Sequence, residues 1–165
     1  MELSNVPTDS SPTPISNSDV ADVLNDLIEN SRDGEYGFRT CAEEVKNANL
    51  KQLFADRATQ CRAAADELIP LVSRYGATPA DGGTASGALH RGWVHVKGTV
   101  GANSEESILE EAERGEDAAV ARYRKALKAN LPPDVRQVVE RQAAGAQRNH
   151  DQIRDMRNQA RAASH

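Results

Sequence analysis

Apolar side chains recur every three or four residues along four long segments, the spacing typical of amphipathic helices that share a core. The predicted helices span about 18–46, 49–75, 104–130 and 133–162. Ser18 is the expected N-cap of the first helix, after a Ser-, Thr- and Pro-rich tail over residues 1–17 that is predicted to be disordered. A shorter amphipathic helix is predicted at about 85–98, and it carries Trp93. The pattern therefore predicts two antiparallel helix pairs joined by a long crossover.

The first predicted helix contains two glycines, Gly34 and Gly37, near its middle. Each glycine costs a helix roughly 1 kcal/mol relative to alanine, so its presence calls for a compensating contact. We expect these glycines to allow close packing against another backbone; the alternative is that they simply weaken the helix locally.

Acidic residues interrupt the inward apolar face of the third predicted helix. Glu113 and Glu116 continue that face, whereas Glu110 and Glu111 are assigned to the outer surface. The same reasoning places Glu35 on the inward face of the first helix. Because an ionised carboxylate is costly to bury without a partner, these three acids indicate hydrogen bonds, ion pairs or a metal ion.

Antiparallel helices joined by a short turn bring level the residues whose numbers mirror each other about that turn. The first turn places Glu35 opposite Gln60 and Cys61. The second turn brings Gln147 and His150 to the level of the inward acids of the third helix. The predicted polar layer comprises Glu35, Gln60, Glu113, Glu116, Gln147 and His150.

The composition supports an all-α protein, because aromatic residues are only 4% of the chain and β-branched runs are missing. A formal net charge of -5 gives no electrostatic reason to expect a nucleic acid or an anionic membrane as partner. No stretch approaches the roughly 20 apolar residues of a membrane span, and no signal peptide is evident. We therefore expect a cytoplasmic protein with neither a nucleic acid nor a membrane as partner.

The cysteines and the histidines of the crossover have structural interpretations. Cys41 and Cys61 form no CxxC motif and are expected to be buried free thiols. His90 and His95 are five residues apart and do not share a helical face, so they are interpreted as exposed or hydrogen-bonded rather than metal-binding.

The polar layer matches part of the ligand pattern of carboxylate-bridged dimetal bundles. Those sites use one Glu from each of two helices and a Glu-x-x-His motif from each of the other two. Gln147 stands three residues before His150, where that motif has a Glu, and the second helix offers only Gln60 and Cys61 at this level. Oxygen ligands with one imidazole would suit iron or manganese.

Several segments of the chain resemble a bacterial family of ferritin-like four-helix-bundle proteins known chiefly as a domain of unknown function. The resemblance covers about 20–160 and is carried by Asp33-Gly34-Glu35-Tyr36-Gly37-Phe38, Gly87-Ala88-Leu89-His90-Arg91-Gly92-Trp93, Glu113-Arg114-Gly115-Glu116-Asp117 and Leu131-Pro132-Pro133. It implies the ferritin-like fold. Ferritins and rubrerythrins, better-understood relatives of that family, bind two irons for iron oxidation or peroxide reduction, and family analogy also suggests a stress-associated role.

Two functions follow from these observations. One is an iron- or manganese-binding redox protein. Its candidate ligands are Glu35, Glu113, Glu116 and His150, with Gln60 and Gln147 as weak or supporting groups. The other is a metal-free bundle in which the same layer is hydrogen-bonded and Arg57 or His150 compensates the carboxylates. A ligand-binding or enzymatic use of the crossover helix is a third option, and a homodimer through that helix is one option for assembly.

Overall fold

The computed structural model describes residues 15–80, 93 and 104–163. These residues form four α-helices and no strand: α1 (Asn17–Glu44), α2 (Ala48–Arg74), α3 (Ser104–Leu127) and α4 (Pro133–Ala163). The prediction of an all-α protein is thus confirmed. The predicted crossover helix, apart from Trp93, lies outside the described residues, as do His90, His95 and all but the last three residues of the predicted tail.

The N-cap of α1 lies two residues earlier than predicted. The side-chain oxygen of Ser16 accepts a hydrogen bond of 3.1 Å from the backbone N–H of Asp19, which identifies Ser16 as the N-cap. Ile15, directly before the cap, packs against the same apolar cluster as Val20. The cap predicted at Ser18 was wrong, because this apolar contact fixes the chain one half-turn further upstream.

α1 packs against both α2 and α3, and α3 packs against α4. The buried apolar residues fall into two clusters along the bundle. The first apolar cluster includes Leu24, Leu27, Leu68, Val72, Val135 and Val139. The second apolar cluster includes Phe38, Phe54, Trp93, Ile108, Leu109 and Ile153. The polar side chains predicted to face inward lie along the helices between these two clusters, so they divide the core at mid-bundle.

The α1 glycines make room for side chains rather than for a second backbone. A Cβ on Gly34 would lie 2.8 Å from the Sγ of Cys61, and a Cβ on Gly37 would overlap the indole of Trp93. On α3, a Cβ on Gly115 would overlap the same indole. The expected backbone contact was therefore wrong, since a thiol and a tryptophan ring occupy the space that the glycines leave.

Trp93 is 4% exposed and lies between α1 and α3. Its ring meets Phe38 edge to face, with the ring centroids 4.9 Å apart. This contact fixes one residue of the crossover inside the bundle.

In the described ranges, no helix has the length and apolar character needed to cross a membrane.

Candidate functional site

Three glutamates of α3 are buried at mid-bundle. Glu113 is 8% exposed and Glu116 is 5% exposed, in line with their predicted inward positions. Glu111, which was expected on the outer surface, is 6% exposed and pairs with Arg114 one turn later. Its burial has a physical cause: α3 contacts both α1 and α4, so it buries a wider arc than a single stripe.

Glu116 has the most unusual environment of these acids. It makes no hydrogen bond or ion pair with another residue of the described ranges. Burial raises the pKa of its carboxyl to about 7, although the charges of Arg57 and His150 act in the opposite direction. A carboxyl in this state changes protonation near neutral pH.

Arg57 supplies the positive charge that faces Glu116 from α2. The Arg57 side chain is buried and donates hydrogen bonds to Gln60 Oε1, at 3.4 Å, and to Gln152 Oε1 on α4. Burial lowers the pKa of Arg57, and the nearby Glu116 opposes that effect. Gln60 is exposed, and its oxygen also accepts from Asn149 at 3.2 Å. The structure therefore places Gln60 at the edge of the polar layer.

Two of the predicted ligands form ion pairs with arginines. Glu35 Oε1 lies 2.8 Å from Nη2 of Arg39, one turn further along α1. Glu113 forms an ion pair with Arg157 of α4, and both side chains are largely covered. These carboxylates already have cationic partners.

His150 lies between two aspartates on the α3–α4 side of the bundle. Its Nε2 is 2.5 Å from Oδ1 of Asp117, and its Nδ1 is 3.1 Å from Oδ1 of Asp151. Burial lowers the pKa of His150, but the hydrogen bonds and charges of the two aspartates outweigh burial and raise that pKa above its ordinary value. Gln147 donates to the same Asp151 oxygen at 2.9 Å and accepts from Arg124 at 3.4 Å.

One group of three side chains could hold a cation among the residues that the structure describes. Glu113, Asp117 and His150 each offer a ligand atom within 4.8 Å of the others, whereas Glu35 and Glu116 are outside this group. Asp117 was missed in the sequence, where its position assigns it to the outer face, and its side chain is indeed 62% exposed. Its spacing of four residues from Glu113 and its mirror position at Gln147, within one helical turn of His150, were the available signals.

The donor set does not fit a two-metal centre. At the level of the layer, α2 contributes the buried guanidinium of Arg57 where a dimetal bundle has a carboxylate and an imidazole. Arg39 and Arg157 occupy two of the remaining carboxylates. A pair of metal ions would need these positive charges to move away first.

Comparison with solved structures shows the fold class. A Dps1 mutant from Mycobacterium smegmatis is 17% identical, with a TM-score of 0.69, and the match covers 85% of this chain and 95% of that one. A dodecameric thioferritin from Bacteroides fragilis, described as bacterioferritin-related, is 16% identical, with a TM-score of 0.71 and 91% of each chain covered.

A Dps protein from Vibrio cholerae, described as a member of a broad superfamily of ferritin-like diiron-carboxylate proteins, is 15% identical. Its TM-score is 0.56, with 90% of this chain and 91% of that one covered. A search of curated proteins finds no match. The chain has the ferritin-like fold, as the sequence resemblance implied.

The family is shown by the sequence itself. The family model described as "Domain of unknown function (DUF2383)" matches residues 19–129, which span α1, α2 and α3. The chain belongs to this family, and the resemblance noted in the sequence is thereby confirmed.

Proposed function

We propose that this protein is a ferritin-like bundle that works without a dimetal centre, as a binding or interaction protein rather than an oxidase or peroxidase. The observation that carries the proposal is the arginine that faces each inward acid of the predicted ligand set. Arg39 pairs with Glu35, and Arg157 pairs with Glu113. The positive charge of Arg57 acts to lower the pKa of Glu116, against the larger effect of burial.

The charge balance gives the physical reason. A buried carboxylate needs a compensating cation, and in a dimetal site the metal ions supply it. Here guanidinium groups supply that charge, and Arg57 is itself buried at 6% exposure. A pair of divalent ions beside a buried guanidinium would meet far stronger like-charge repulsion than a single monovalent charge does, because the surrounding medium screens poorly. The chain itself therefore supplies positive charge to the layer.

The position of Trp93 supports the same conclusion. Its indole fills the space between Gly37 of α1 and Gly115 of α3, one residue from Glu116 along α3. The indole takes up space between these two helices in which carboxylates from α1 and α3 would approach each other across a shared pair of metal ions.

Metal analysis tests the proposal directly. The full chain is produced in medium supplemented with iron and manganese and purified without chelators, and bound metals are measured by mass spectrometry. We expect far less than one equivalent of either metal per chain, and no rise in melting temperature when Fe²⁺ or Mn²⁺ is added at about pH 6 or about pH 8. Two equivalents of iron or manganese, lost in Glu35→Ala and Glu116→Ala, would overturn the proposal.

A second candidate function is the binding of one divalent cation, such as iron or manganese, at Glu113, Asp117 and His150. The convergence of their ligand atoms within 4.8 Å favours it. The ion would have to displace Arg157 from Glu113 and the proton that His150 shares with its aspartates. Manganese titration followed by electron paramagnetic resonance distinguishes this candidate. One site that is lost in His150→Ala and kept in Asp155→Ala, an exposed control on α4, would establish it.

Assembly is a separate part of the proposal. The Bacteroides fragilis relative is described as dodecameric, which is a statement about that protein. For this chain the homodimer is kept as the one option that the sequence raised, and light scattering of the full chain measures the oligomeric state. A stress-associated role of such an interaction protein likewise rests on the family resemblance.

A further inference from the structure

A cavity of about 500 Å³ lies at mid-bundle, between the two apolar clusters. All four helices and Trp93 contribute to its wall. Its volume falls within the roughly 300–1,000 Å³ range of small-molecule sites. The cavity is large enough to hold an organic molecule.

Long polar side chains, rather than close helix packing, join α2 to α4 beside this cavity. Arg141 of α4 pairs with Glu67 of α2, and Gln142 donates to the Ala64 carbonyl at 3.3 Å. Small residues on α4, among them Gly145 and Ala146, line the cavity on this side and leave its volume open.

Three aromatic side chains contribute to the inner wall. Phe38, Trp93 and Tyr123 all line the cavity, and each is at most 5% exposed. Aromatic walls bind apolar rings by packing, and the negative faces of their π systems also attract cations.

The Glu116 carboxyl lines the same cavity and is 5% exposed. No described residue forms a hydrogen bond or ion pair with it, so its oxygens are unpartnered acceptors in a buried position. A buried polar group without a partner loses free energy relative to one that a ligand or water satisfies. A ligand in this cavity would therefore be recognised through hydrogen bonds that it donates to Glu116.

The basic residues around Glu116 are less suited to bind a ligand in the interior. Arg57 already donates to Gln60 and Gln152, and its free Nε is completely covered. Arg141 is paired with Glu67. Arg148 is exposed at the wall, where water solvates its charge.

We propose that this cavity binds a small aromatic amine, whose ammonium group donates hydrogen bonds to the Glu116 carboxylate while its ring contacts Trp93 and Phe38. The ammonium would supply the acceptor's missing partner, and the ring would replace water against the aromatic wall. This binding function goes beyond the metal-free role proposed above.

Trp93 is the only tryptophan in the chain and lies in the cavity wall, so its fluorescence reports on occupancy. Three probes of similar size are titrated into the full chain: phenethylamine, phenethyl alcohol and 3-phenylpropanoate. They share a phenyl ring and differ in the head group, which is cationic, neutral or anionic. We expect a saturable change in fluorescence with phenethylamine, at an affinity at least about tenfold above that of the other two.

Two variants locate the binding. Glu116→Gln keeps the volume of the side chain and should weaken phenethylamine binding about tenfold or more, without a comparable effect on phenethyl alcohol. Gly145→Leu should abolish the signal by filling the cavity, since a Cβ at this position meets only Arg148 Nη2, at 3.7 Å. Glu43→Gln, on the exposed surface of α1, is the control and should leave the affinity unchanged.

Equal affinities for the three probes, tighter binding of 3-phenylpropanoate, or the absence of a saturable change would each overturn the proposal. So would an unchanged phenethylamine affinity in folded Glu116→Gln. If circular dichroism shows that Glu116→Gln does not fold, Gly145→Leu becomes the test of the proposal. Retained phenethylamine binding in that variant would place the amine outside the cavity and would overturn the proposal.

Discussion

The indole of Trp93 lies so close to Gly115 that a Cβ on residue 115 would overlap the ring. Gly115 immediately precedes Glu116, so the same turn of α3 both admits the indole and presents the buried carboxyl. The glycine is a weak helix former that is retained here for steric reasons.

We expect Gly115→Ala to destabilise the protein by about 1–3 kcal/mol, because overpacking against a buried ring outweighs the gain in helix propensity. Gly145→Ala is the matched control within a helix. Its Cβ meets only the end of the Arg148 side chain, so this variant should be stabilised by about 0.5–1 kcal/mol.

Urea unfolding followed by circular dichroism measures both glycine variants. If Gly115→Ala were as stable as Gly145→Ala, the indole could not occupy the position described. Combining Gly115→Ala with Trp93→Phe should restore part of the lost stability, since the smaller ring leaves room for the methyl group.

Glu116 should make stability depend on pH. Its pKa is raised from 4.5 to about 7 in the folded chain, so the folded state holds a proton that the unfolded state has released between these values. The stabilisation is complete below the unfolded pKa and is lost as pH rises through about 7. The loss is on the order of 3 kcal/mol.

Chemical unfolding at about pH 5 and about pH 8, with a chelator present, tests this prediction. Glu116→Gln carries a permanently neutral group, so it should match the parent chain at the lower pH and exceed its stability at the higher pH. Glu43→Gln provides the surface control. An identical pH profile for the parent chain and Glu116→Gln would contradict the burial of an unpartnered carboxyl.

Removal of one member of the Glu113–Arg157 pair should be costly. Both side chains are mostly covered, so Arg157→Met leaves the Glu113 carboxylate buried without its cation. We expect a loss of about 3 kcal/mol in the free energy of unfolding.

The double variant Glu113→Gln with Arg157→Met removes both charges and should recover most of that loss. A double-mutant cycle based on unfolding free energies gives the coupling between the two residues. Additive effects of the two single changes would show that the pair does not neutralise Glu113.

The two cysteines should react slowly with thiol reagents in the folded chain. Both are free, but only Cys41 is fully buried as predicted, whereas Cys61 is partly exposed at the cavity wall. Burial raises the pKa of each thiol well above its ordinary value, so little thiolate is present at neutral pH. The rate of modification by Ellman's reagent should rise at least about tenfold in denaturant. Rapid modification of the native protein would show that one thiol is exposed or activated.

Much of the fold was predictable from the sequence because helices bury one face, and the three- to four-residue spacing shows which one. That spacing correctly identified Glu113 and Glu116 as buried. It failed for Glu111, because a helix in contact with two neighbours buries more than a single stripe.

Mirror relations about the turns were also informative, but only to within about one helical turn. They brought His150 to the level of the α3 acids, and the structure places its ring beside Asp117. They could not show that Glu113 meets Arg157, because a long arginine side chain can reach past the residue directly opposite.

The sequence by itself determined the four helices, the inward positions of Glu113 and Glu116, the ferritin-like class and the family. Only the tertiary structure decided that arginines pair with two of the predicted ligands, that the Trp93 ring lies against Gly37 and Gly115, and that a cavity remains beside Glu116. The physical reason is that periodicity reports the burial of each helix separately. The partner of a buried side chain depends on how far the helices rotate and slide when the whole core packs.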